Sequence, residues 1–172
     1  LSDSEKTDLV SWWNLDSVIP ELTTAVYDNH HGGGEVLGSE GVNYPSDVAT
    51  ATEPFELDTT TSLYTYNKSL SGTGRLTFGT AVAAQVGQVY EIVIDITISS
   101  GNANVAFKSA NSATTLLNYT DLVDGVNTFY STVTGVNGNV NRLFTSSANT
   151  DNSFTLNSVS VKKINGNTGT LS

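Results

Sequence analysis

An all-β domain, a jelly-roll β-sandwich, is the fold class that the sequence predicts, and three observations predict it. Between Val89 and Ser99 the apolar residues Tyr90, Ile92, Ile94, Ile96 and Ile98 fall at every second position, with Glu91, Asp95, Thr97 and Ser99 among those between them. That period places five large side chains on one face of a strand, whereas a helix would scatter them. Turn signals recur along the chain from Phe55 onward, separating short segments spaced roughly 10 to 14 residues apart, the spacing of sandwich strands. Finally, only 38% of the 172 residues are hydrophobic, and Gly, Ser, Thr and Asn make up much of the remainder, a composition that favours short strands and turns over helices.

The elements follow in order. Residues 1–8 are polar and acidic and read as an arm. Leu9 to Leu15 reads as a short strand in which Trp12 and Trp13 must face opposite ways, because successive strand side chains alternate. One indole then fits a core, and the other is a candidate anchor for a neighbouring subunit or for a stacked sugar. Asp16 to Val48 is irregular, with glycines at 32–34 and prolines at 20 and 45, and loops of that length usually carry function. Strands are then expected at 55–58, 62–67, 74–78, 89–99, 104–108, 114–118, 127–134, 139–146 and 153–163. The last segment changes parity, since Phe154 and Leu156 do not share the alternation of Val159 and Val161. A bulge near Asn157 reconciles the two. The expected division is an arm, strand and Gly-rich loop over 1–50, the sandwich over 51–164, and a tail over 165–172. The lack of a methionine at position 1 reads as a processed product or a fragment.

Composition also narrows function. A formal charge of −10, with seven Lys and Arg against 17 Asp and Glu, offers no basic stripe for a nucleic-acid backbone. It disfavours anionic membrane surfaces as well, and no apolar run approaches the ~20 residues of a spanning helix. Membrane insertion and nucleic acid are therefore not expected. There is no cysteine, which removes disulfides, thiolate metal sites and thiol nucleophiles. No nucleophile elbow and no distinctively placed carboxylate pair occurs, so an enzyme is not expected.

The segments LTFGTAVAAQVGQVYEIVIDITISSGNANVAFKS, DGVNTFYSTVTG and NRLFTSSANTDNSFTLNSVSVKKI resemble carbohydrate-binding-module-like, or galactose-binding-like, jelly-roll domains of phage tail and appendage proteins. The resemblance covers residues 70–164. TDLVSWWNLDS and AVYDNHHGG are similar to the opening of laminin-G-like domains of such virion proteins, as a short lead-in. The resemblance implies a non-enzymatic structural or binding module of a virion, as a tail fibre, capsid decoration or other appendage. The alternative it allows is a carbohydrate-binding module of a secreted bacterial enzyme or adhesin. The expected location is the virion or the extracellular space. The expected partners are other virion subunits in a homo-oligomer, and host or extracellular polysaccharide.

The candidate subunit or ligand contacts are Trp12, Trp13, Tyr27, His30, His31, Tyr64, Tyr66 and Tyr119. Tyr130 is a further tyrosine with which a sandwich could stack a sugar. The resemblance also implies a structural calcium, for which Asp28, Glu40 and Asn157 are the candidates, although the family often has Asp where Asn157 stands. No other cofactor is expected.

Overall fold

The computed structural model describes residues 37–67, 74–146 and 152–165. The expected strand at 9–15, with Trp12 and Trp13, lies outside these residues. Leu37–Ile164 forms one compact unit. It contains eleven strands among the described residues: β1 (Leu37–Glu40), β2 (Val48–Thr52), β3 (Phe55–Asp58), β4 (Leu63–Asn67), β5 (Arg75–Ala84), β6 (Val89–Ser100), β7 (Ala103–Ser109), β8 (Thr115–Leu122), β9 (Gly125–Thr132), β10 (Gly138–Thr145) and β11 (Ser153–Ile164).

All pairings are antiparallel. One sheet runs β3-β4-β11-β6-β9, with β1 also paired to β11, and the other runs β2-β5-β10-β7-β8. From β4 to β11 the chain passes back and forth between the sheets, except at the β7-β8 hairpin within the second sheet, in the interleaved order of a jelly roll, β4-β11-β6-β9 facing β5-β10-β7-β8. The expected fold class is the observed one. Every strand expected from Phe55 onward is present, with ends displaced by a few residues.

The isoleucine strand is β6, and it lies inside its sheet between β11 and β9. Ile92, Ile94 and Ile96 are at most 1% exposed, and Tyr90 is buried beside them. Ile98 is half-buried against the core. They meet Leu76, Phe78, Val105, Phe107 and Leu143 of the second sheet in one cluster. The turn into β6 uses Gly87 at φ +82°, and the turn out of it uses Gly101 at φ +67°. Both values lie in the region that favours glycine, and a Cβ on Gly101 would also collide with the Asn152 side chain.

The bulge expected in β11 is present between Leu156 and Ser158. Before it Phe154 and Leu156 are buried, and after it Val159 and Val161. The whole strand therefore feeds the core while remaining paired to β6. Its other edge has two partners, β4 opposite 153–156 and β1 opposite 162–164.

Two side chains from the preceding segment serve the edge between them. Tyr44 donates its hydroxyl to the Leu156 carbonyl at 2.7 Å and accepts the Tyr64 amide at 2.8 Å, bridging a residue pair of the ladder. Glu40 accepts the Val161 amide at 2.7 Å and the Ser160 hydroxyl at 2.6 Å. The irregular stretch expected over 16–48 is thus strand and fastened turn from Leu37 onward. A four-residue strand, LGSE, paired through a register shift has no alternation to read. β1 lies on the N-terminal side of residue 51, the expected start of the sandwich, and β2 spans that residue.

Burial raises the Tyr44 hydroxyl from 10.0 to about 12, against the lowering effect of the hydrogen bond from the Tyr64 amide. A folded value above the unfolded one means that the stabilisation is complete below pH ~10 and lost as pH rises through about 12. Replacing Tyr44 with Phe leaves the Tyr64 amide without its acceptor, at a cost of about 1–3 kcal/mol. Urea unfolding should show that loss at pH 7, with the difference between wild type and Tyr44→Phe shrinking between pH 10 and pH 12. A difference that stays constant across that range would contradict the assignment.

Candidate functional site

Strand alternation decides which side chains leave the sandwich. In β5 Leu76 and Phe78 are buried, so Arg75 and Thr77 face outward. In β7 Ala103, Val105 and Phe107 are buried, so Asn104 and Lys108 face outward. In β10 Leu143 and Thr145 are fully buried, so Arg142 and Phe144 face outward. Phe144 is half-buried and lies outside the core cluster. The register then assembles these residues on the outer face of the second sheet.

Phe144 stands directly between Arg75 on β5 and Ala106 on β7. Arg142, two residues away on the same strand, stands directly between Thr77 and Lys108. Tyr119 of β8 is 47% exposed, and the Lys108 ammonium lies 4.6 Å from its ring centroid, a cation-π contact. Asp121 is the carboxylate of this region, and it accepts the Asn104 amide at 2.8 Å. The result is a polar sheet face with two aromatic rings and three cations.

The cations have few partners. Among the described residues the ion pair is Lys162 with Glu40, at 3.8 Å, on the other sheet. Arg142 donates Nη1 to the Ala110 carbonyl at 3.0 Å. The Nε atoms of Arg75 and Arg142 are buried without an acceptor among the described residues. A buried Nε means that each guanidinium is seated in the face, with its stem laid over the sheet. Arg142 and Lys108 are like charges directly opposite on neighbouring strands, an arrangement that weakens a sheet.

A concavity adjoins this face along β8. It is a groove of about 590 Å³ between the edge strands β8 and β9, lined among others by Asn118, Thr120, Thr128, Phe129 and Tyr130. Its lining includes no charged side chain. The Tyr130 hydroxyl donates to Glu91 at 3.1 Å. The turn joining the two edges is held by the buried Asn127, whose side chain accepts the Val123 amide at 2.9 Å and donates to the Val123 and Gly125 carbonyls at 2.8 and 2.9 Å.

The residues singled out by sequence fall in different places. Trp12, Trp13, Tyr27, Asp28, His30 and His31 lie outside the described residues. Tyr119 is on the outer face of the second sheet and Tyr130 is beside the groove. Tyr66 is a correction: it is fully buried and stacked on Phe154 with ring centroids 4.9 Å apart, so it is a core residue and no contact. Tyr64 shares its inward parity and packs on the core, 6.2 Å from the Tyr44 ring.

Glu40 and Asn157 are not brought together. Glu40 lies opposite Lys162, five residues along β11 from Asn157, about 16 Å at strand rise. Both oxygens of the Glu40 carboxylate accept hydrogen bonds from β11. Asn157 donates to Thr97 at 3.0 Å and, more weakly, to Asp95 at 3.4 Å. These side chains fasten strands and do not form the six to eight oxygen ligands that calcium takes. Among the described residues no three His, Cys, Asp or Glu side chains cluster.

Arg75, Lys108, Arg142 and Phe144 escaped the sequence reading. The signal for them was parity: in NRLFT the buried residue is Leu143, which turns Arg142 and Phe144 outward together.

No protein-family model matches the chain, and no curated protein matches it in sequence. Among solved structures it is similar to BiXyn10A CBM1 in its apo form, at TM-score 0.47 and 13% identity, covering 74% of this chain and 91% of that one. It is also similar to a mutant of a carbohydrate binding module family 29, at TM-score 0.46 and 9% identity, over 73% and 89% of the two chains. A Family 16 Carbohydrate Binding Module-2 is similar at TM-score 0.39 and 12% identity, over 74% and 86%.

The two neighbours in β10 should separate core from face. Leu143→Ala should lower unfolding free energy by about 2–5 kcal/mol, whereas Phe144→Ser should cost less than about 1 kcal/mol, as substitutions away from the core usually do. Equal losses in denaturant titrations would place Phe144 in the core.

Proposed function

We propose that the chain is a non-catalytic glycan-binding module and that its binding surface is the outer face of the second sheet. The observation that carries this reading is the outward-facing pair of rings, Phe144 and Tyr119, set among polar and cationic side chains on a continuous sheet. Pyranose rings present flat C–H faces rimmed by hydroxyls. They suit a surface where aromatic rings supply apolar area and nearby side chains supply donors and acceptors. Thr77, Asn104 and Thr115 share the face, and Thr115 lies opposite Lys108. A chain of sugars crossing β8 would meet the hydroxyl-lined groove next. Neither the face nor the groove offers the two flanking carboxylates of a glycosidase, since Asp121 stands alone and is held by Asn104.

The setting we infer is the surface of an extracellular particle, such as a phage tail fibre, capsid decoration or other appendage, with host polysaccharide as ligand. Its support is the resemblance of residues 70–164 to domains of such proteins, together with a cysteine-free, Thr- and Asn-rich composition. Display in several copies would multiply a weak single-site affinity through avidity. The same face would serve equally on a secreted enzyme or adhesin as a single bead.

Two measurements test this. On a glycan array, wild type should be retained by at least one polysaccharide. Phe144→Ala and Tyr119→Ala should each weaken that binding roughly tenfold, about the contribution of one stacking ring, while Ser160→Ala on the opposite sheet leaves it intact. Binding that depends instead on Tyr130 alone would move the site to the groove. Light scattering of the full chain reports the setting: a trimer or larger species favours the particle, and a monomer favours the isolated module.

A further inference from the structure

We infer that the glycan is anionic, a polysaccharide bearing carboxylate or sulfate groups, taken up by Arg75, Arg142 and Lys108 around Phe144. The inference rests on the reading of the second sheet's outer face as the binding surface. Its own argument is the distribution of charge. The chain carries 17 Asp and Glu against seven Lys and Arg, and yet three of those seven cations stand on one sheet face with Asp121 for company. Asp121 is hydrogen bonded to Asn104, and none of the three cations forms an ion pair among the described residues. The outer face of the first sheet is richer in acid, with Glu56, Glu91 and Asp95 pointing outward, and its cation Lys162 lies opposite Glu91 and is paired with Glu40.

Register makes the cluster tight. Arg142 and Lys108 are directly opposite, and Arg75 is directly opposite Phe144, one diagonal step from Arg142. Side chains directly opposite have Cβ atoms about 4.5–5.5 Å apart and diagonal ones about 7–8 Å. Arg142 thus has a like charge on each side, Lys108 opposite and Arg75 on the diagonal, while Arg75 and Lys108 stand two strand spacings, about 10 Å or more, apart. A carboxylate or sulfate beside Arg142 would offset that repulsion. The arginines suit that role, because a seated guanidinium offers its remaining N–H groups as a planar fork that matches two oxygens at once. Phe144 in the centre supplies the apolar surface for the sugar ring that carries the anion. A neutral glycan would leave the cations unanswered.

Matched polymers test this by isothermal titration calorimetry on the full chain. Polygalacturonate is compared with fully methyl-esterified pectin, and dextran sulfate with dextran, so that one member of each pair carries the anionic group and the other has it masked or missing. Wild type should bind the charged member of at least one pair at least tenfold more tightly than its neutral partner, and the pair that responds identifies carboxylate or sulfate. Binding should weaken steeply between about 50 and about 500 mM NaCl. Arg142→Gln and Lys108→Gln should each reduce affinity roughly tenfold, while Lys108→Arg retains it. Circular dichroism on each variant confirms that it is folded.

Equal binding of charged and neutral members, unaffected by Arg142→Gln, overturns the inference and leaves the glycan-binding reading standing. Polyanion binding that survives a triple variant combining Arg75→Gln, Lys108→Gln and Arg142→Gln overturns it too, by moving the charge elsewhere. Equally tight binding of oligothymidylate would show a general polyanion face and no glycan preference, which also overturns it. Failure of wild type to bind any of the four polymers or any array glycan sinks both readings.

Discussion

The hydroxyl of Tyr44 occupies the place where one ladder stops and another has not yet begun, and the first sheet depends on it. β11 must pair with β6 along its length while its opposite edge passes from β4 to β1. Between those partners its backbone groups would otherwise meet no strand. Tyr44 takes the Leu156 carbonyl and the Tyr64 amide, and Glu40 takes the Val161 amide. Gly41 completes the fastening by donating its amide to the Val161 carbonyl, and a Cβ there would press on Val82 and on that carbonyl. Backbone groups buried without partners are costly, so these side chains substitute for strand pairing.

That edge sits beside the bulge at Asn157, and the bulge in turn sets the core. A strand without it would present Phe154 and Leu156 to one face and Val159 and Val161 to the other. One inserted residue turns all four inward, where Tyr66 and Phe154 stack and the isoleucines of β6 pack against them. The second sheet uses the same device. A register shift in β10 between Val140 and Arg142 lets Val140, Leu143 and Thr145 all point inward. Arg142 and Phe144 face outward as the complement of that choice. The candidate binding face is therefore positioned by the core and not by any loop of its own.

Alternation made most of this legible from sequence. The Tyr90–Ile98 series, the parity change at Asn157 and the glycine turns at 87 and 101 each signal a local constraint that tertiary packing did not override. Legibility failed where the chain is held by side chains in place of a regular ladder. LGSE at 37–40 is too short to alternate, and Tyr44 in a turn gives no hint that its hydroxyl closes a sheet over a hundred residues away. It failed also for Tyr66, because a tyrosine in LYTYN looks amphipathic until Phe55 and Phe154 enclose it. Phe144 failed in the opposite sense: a phenylalanine beside a leucine reads as core, and only the burial of Leu143 and Thr145 shows that it must leave.

The cations on the second sheet are a local choice that fold stability does not explain. Cross-strand pairs of opposite charge contribute a few tenths of a kcal/mol and like pairs cost a similar amount, so Thr at position 108 or 142 would serve the ladder better. Thr already occupies the neighbouring outward positions 50, 52, 77 and 115 of this sheet. With 17 acidic residues to draw upon, a compensating carboxylate opposite Arg142 was within reach of a single substitution. The face carries Lys108 there instead. A consistent sequence breaks its own local rules mainly where function requires it. Here the broken rule, two cations across a ladder beside an outward phenylalanine, falls on the broad outer surface of the second sheet.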